Sequence, residues 1–83
     1  MSHELSIVEA AHYVLGHGGH EGQFRRPGSF YAALTDACFK ADNDNLDRLG
    51  LSFPMVALAV YLYKNEEGGA DMLARLIEEE GAT

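Results

Sequence analysis

Leu49–Tyr63 reads LGLSFPMVALAVYLY. It is the most apolar stretch of the chain, and past Pro54 it has almost no polar face. A helix that is apolar all round belongs in the middle of a fold, because every face needs a neighbour to exclude water. Proline is tolerated in a first helical turn, where its missing N–H has no partner in any case. The stretch predicts a central helix over about 54–64. Val56, Val60 and Tyr63 then face one neighbour, and Met55, Leu58 and Leu62 another. The fold class this implies is all-α, a compact bundle of four to five short helices around that central element.

Working outward, Ser52-Phe53-Pro54 restarts the chain after a short helix capped by Asp42. That helix carries Leu46 and Leu49, and Gly50 is the expected stop. Before it, Ser29 reads as the N-cap of a helix over Phe30–Lys40, with Leu34, Ala37, Cys38 and Ala41 on one stripe. Gly16–Gly28, GHGGHEGQFRRPG, holds five of the nine glycines, two histidines and a proline, which is loop composition. Phe24 is the residue that can anchor this loop to a core. The first helix is expected over Ser6–Leu15, opened by the Ser6/Glu9 capping box and ended by Gly16, after a lead-in of residues 1–5. After the central helix, Asn65–Gly69 reads as a turn. Ala70–Glu80 reads as a last helix with Met72, Leu73, Leu76 and Ile77 on its apolar stripe.

A chain of 83 residues is a single domain, residues 1–83, whose core is thin. Oligomerisation is a common remedy. The net charge of −7, from 13 acids against 6 bases, disfavours direct nucleic-acid binding, which relies on Lys and Arg against phosphates. The single cysteine, Cys38, excludes an intramolecular disulfide and fits a reducing compartment. The N-terminus MSHELSIVEAA lacks a basic leader pattern. The central apolar run is about half the roughly 20 residues of a spanning helix. A cytoplasmic protein off the membrane is therefore expected.

From Gly28 to Tyr63 the residues form a pattern: Gly28-Ser29-Phe30, Leu34 and Ala37, Ala41-Asp42, Asn45, Leu49, Phe53-Pro54, Val56, and Tyr61 or Tyr63. It resembles a group of small uncharacterised helical proteins encoded by bacteriophages and mobile elements of actinobacteria. The resemblance implies an accessory phage-type protein acting in the host cytoplasm. The histidine loop lies outside it.

Four residues are candidate ligands for a transition metal: His12, His17, His20 and Glu21. Imidazole and carboxylate suit zinc, nickel or copper, and the glycines between His17 and His20 let the backbone fold tightly. The spacing is not that of HExxH, and a solvated loop is the plainer reading. A phosphate cradle is suggested by the glycines followed by Arg25 and Arg26, but no GxxxxGK[ST] or GxGxxG is present. Asp42, Asp44 and Asp47 do not make an EF-hand. Its fifth, sixth and twelfth positions would be Leu46, Asp47 and Phe53. Cys38 sits on an apolar stripe and reads as a core thiol. A helix-turn-helix would need polar and basic residues where this chain has MVALAVYLY. The acidic residues offer a face to a basic partner, though most charge runs only solubilise.

Tyr13, Phe39, Tyr61 and Tyr63 are the aromatics a domain this small is expected to leave over. An apolar patch shared across a two-fold axis would bury them. The expectation is a non-enzymatic protein–protein interaction module without a cofactor, dimeric, with a host or phage protein as partner. The alternatives are a metal-binding protein of the histidine loop and a structural or assembly subunit.

Overall fold

The computed structural model describes residues 5–20 and 22–81. Residues 1–4 of the expected lead-in lie outside them. Among the described residues there is no strand. Five helices follow in order: α1 Ile7–His17, α2 Ser29–Lys40, α3 Asn43–Ser52, α4 Pro54–Asn65 and α5 Gly69–Gly81.

Two caps form as their sequences dictate. The Ser6 hydroxyl accepts from the Glu9 N–H at 3.1 Å, and the Asp42 carboxylate accepts from the Asn45 N–H at 2.8 Å. The reciprocal half of the first box is replaced, because Glu9 pairs with Arg25 instead. Ser29 is not a cap. The extended residue is Gly28, whose carbonyl accepts from the Ala32 N–H at 2.9 Å, so α2 begins one residue early.

Neither expected glycine stop ends its helix. α1 runs through Gly16, and the left-handed residue is Gly19, at φ +76°. The His20 N–H reaches the Leu15 carbonyl at 3.2 Å and the Gly19 N–H the Gly16 carbonyl at 3.2 Å. That pair of bonds is a Schellman motif, which satisfies carbonyls the helix end would leave open. α3 likewise runs through Gly50, which lies against Ala57 of α4. A Cβ at Gly50 would stand 3.5 Å from that methyl group. The stop comes at Phe53, with φ −132° and ψ 66°. Pro54 imposes it, because its ring disfavours helical backbone in the residue before it.

α4 packs against each of the other four helices, and α1 against α2, α4 and α5. The shared core is built from small and medium side chains. Ala10, Ala11, Val14 and Leu15 of α1 meet Val56, Ala57, Ala59 and Val60 of α4, with Leu34, Cys38, Leu46 and Leu73 closing the sides. The expected central helix is therefore present. It is not covered all round, however. The chain measures 35 × 34 × 19 Å. At interaxial spacings of about 8–10 Å that thickness is two helix layers, so α4 keeps one face in solvent.

Gly69 is where α5 meets α4. It is buried, and an added Cβ would overlap the Leu62 carbonyl oxygen. The preceding Gly68 supplies the turn at φ +74°, with open space around it. Gly69→Ala should cost about 1–3 kcal/mol or more, because backbone must move. Gly68→Ala should cost about 1–2 kcal/mol, from conformation alone. Urea denaturation compares the two. A Gly69→Ala loss no larger than that of Gly68→Ala would mean that α5 is not held at this distance.

Candidate functional site

The C-terminus of α1, the segment after it and one face of α2 enclose a cleft of about 490 Å³. Tyr13, Phe24, Pro27 and Ala32 supply its apolar walls, and His17, His20, Arg25 and Arg26 its nitrogen-bearing groups. The Schellman motif places His20, and two further contacts place the rest of the segment. Phe24 is half-buried against the core, as its anchoring role requires. The Arg25 backbone N–H donates to Nδ1 of His12 at 3.2 Å. His12 itself is only 8% exposed and lies edge-on to Phe24, with ring centroids 6.0 Å apart.

The Arg25 side chain extends this attachment. Its guanidinium pairs with Glu9 of α1 and lies 3.7 Å from a Glu80 carboxylate oxygen of α5. Glu9 holds Arg25 firmly protonated. Burial, reinforced by the Glu9 carboxylate, pushes the Tyr13 phenol up from its usual value. One residue thus joins the segment to two helices.

The histidines are close in sequence but separately engaged in space. His12 accepts from Arg25. His17 stacks on Phe39, with centroids 4.3 Å apart and rings within 10° of parallel, while its Nε2 meets Asp36 at 3.1 Å. His20 Nε2 meets the Tyr63 hydroxyl at 2.9 Å, edge-on to that ring. Glu21, the fourth expected ligand, lies outside the described residues. Among the described residues no group of three or more His, Cys, Asp or Glu side chains is placed to hold a metal ion. The physical reason is the helix: His12 and His17 are five residues apart on α1, so their side chains leave it in different directions.

Of the aromatics expected to remain at the surface, three are engaged within the chain. Tyr13 packs on Tyr31 at 6.0 Å, and Phe39 lies between His17 and Tyr63, 5.4 Å from the latter. Tyr63 also lies so close to Gly18 that an added Cβ there would collide with its ring. Only Tyr61 is exposed, at 40%.

Sequence reasoning missed Asp36 and Thr35. Asp36 bridges Lys40 at 3.0 Å and His17 at 3.1 Å. The Lys40 hydrogen bond, then that of His17, holds its carboxyl below the usual value. Its spacing of four from Lys40 was a local signal; its pairing with His17 had none. Thr35 is buried and donates its hydroxyl to the Tyr31 carbonyl at 2.7 Å. Cys38 is buried away from the cleft lining, and burial pushes its thiol up, which suppresses the reactive thiolate. Among the described polar groups of the cleft, the imidazoles, Arg25 and Thr35 already have partners.

His12→Ala removes the acceptor for a part-buried N–H and should cost about 1–3 kcal/mol. Hydrogen exchange at the Arg25 amide should quicken more than elsewhere; unchanged exchange there would mean the segment is held by other contacts. Because the folded state lowers the Asp36 pKa, the stabilisation is present above the unfolded value and lost as pH falls through the folded one. The stability gap between wild type and Asp36→Asn should therefore narrow as pH falls through and below the ordinary aspartate range. Urea midpoints measure it, and a constant gap would contradict the pairing.

The chain matches no known protein family, and no curated protein or solved structure is detectably similar to it.

Proposed function

We propose that the chain is a small non-enzymatic protein–protein interaction module. It holds a host or phage protein in the cytoplasm, as an accessory protein of phage or mobile-element type. The observation that carries this reading is the outer face of α4. Leu58 is 43% and Tyr61 40% exposed, and three residues' separation puts them on one face. Pro54, also exposed, extends the stripe by a turn toward the helix start. Isolated apolar side chains at a surface are ordinary. An aliphatic and an aromatic side chain adjoining on one helix face suit contact with another helix or an apolar groove.

The same face supports self-association. A two-fold pairing of α4 faces would bring Leu58 and Tyr61 of each copy against the other and withdraw both from water. The sequence resemblance over Gly28–Tyr63 supports the phage-type assignment. No helix among the described residues is long and apolar enough to cross a membrane.

The double variant Leu58→Ser, Tyr61→Ser should keep its helical circular dichroism, since both side chains are solvent-facing. It should lose self-association in sedimentation and retain at most about a tenth of the wild-type capture of partner proteins from host lysate. Association and capture at wild-type levels would overturn this reading.

A further inference from the structure

We propose that the cleft between α1, α2 and the segment following α1 binds a small organic anion, an anionic head on a flat apolar body of the aryl phosphate kind. This site is separate from the exposed face of α4.

Size comes first. About 490 Å³ falls within the roughly 300–1,000 Å³ of small-molecule clefts. Charge comes second. The chain has 13 acids against 6 Lys and Arg and 4 His, yet the described lining holds two Arg, two His and no carboxylate. An acidic protein has thus gathered four of its ten nitrogen-bearing cationic or imidazole side chains at one concavity. Three carboxylates outside the described lining, Glu9, Asp36 and Glu80, pair with Arg25 and His17. Arg26 lines the cleft, is exposed, and makes no ion pair with another described residue.

Third, the walls call for more than a bare ion. An exposed guanidinium gains only about 0–1 kcal/mol from an anion in water. Inorganic phosphate alone would therefore be held weakly. Phe24, Pro27, Ala32 and the Tyr13 ring offer apolar surface beside the cationic groups, and covering it contributes what the charge cannot. Fourth, the rim is set in advance. The Schellman bonds hold His20, and the His12–Arg25 bond and the Arg25 pairs hold Arg25, before any ligand arrives, which removes an ordering cost from binding.

The test is a titration of the ¹⁵N-labelled chain, followed by amide NMR shifts at constant ionic strength, with phenyl phosphate, inorganic phosphate and benzoate. Phenyl phosphate should give saturable shifts confined to residues 16–27 and 31–36. It should bind about tenfold more tightly than inorganic phosphate. Arg26→Gln should weaken it about threefold to fivefold. Arg75→Gln, on α5 and outside the cleft, should leave it unchanged. Saturable benzoate shifts at the same residues would support the site and extend its heads to carboxylates. Non-saturable or chain-wide shifts would overturn the proposal. So would equal affinity for phenyl and inorganic phosphate, meaning an adventitious ion only, or indifference to Arg26→Gln.

Discussion

A slab two helices deep cannot close around any of its helices, and most of this structure follows from that constraint. An 83-residue chain has too little volume to surround α4. Its four neighbours therefore cover the arc centred on Val56 and Val60 and leave the arc of Pro54, Leu58 and Tyr61 in water. What core there is depends on close approach. Ala10, Ala11, Ala57 and Ala59 let α1 and α4 lie near each other, and Gly50 and Gly69 do the same for α3 and α5. Small residues at the contacts bring backbones together, but each buries little apolar area.

A core so thin needs ties at its edges, and polar side chains supply them. Lys64 of α4 donates to the carbonyls of Phe39 and Ala41 at 3.0 and 2.8 Å, satisfying the C-terminal end of α2. A cation there also meets the negative end of the helix dipole. At the opposite end of α2, Arg25 joins the intervening segment to α1 and α5. His12 works from beneath, as a buried acceptor for a backbone donor. These bonds turn a glycine-rich stretch into the wall of a cleft. They also explain why the histidines do not converge: each has been assigned a separate structural partner.

The two surfaces of interest differ in chemistry. The outer face of α4 is apolar because the domain runs out of helices to cover it. The cleft gathers Arg25, Arg26 and two imidazoles beside apolar walls, and three of these four groups already have partners within the chain. An apolar helix face suits a macromolecular partner, and a concavity with apolar walls and cationic groups suits a small anion.

Local chemistry was legible in the chain by itself. The five-helix order, the caps at Ser6 and Asp42, the break at Pro54 and the turn before α5 each depend on neighbours within four residues, so short-range rules reach them. Phe24 as an anchor was legible too, as the one large apolar residue in a polar stretch. The roles of Gly16 and Gly50 were not. A glycine next to a helix end signals a stop by conformation, yet here it serves a contact with Phe24 or Ala57. The partners of His12, His17 and His20, and the partial burial of Phe39 and Tyr63, were also set at long range. They depend on α1, α2 and α4 meeting at particular angles, which no window of sequence contains. The sequence by itself determined where helices begin, break and carry apolar stripes, because those are matters of backbone and periodicity. Only the tertiary structure decided which apolar face stays in water and which charges share a cleft, because both depend on how many neighbours a small chain can place around each helix.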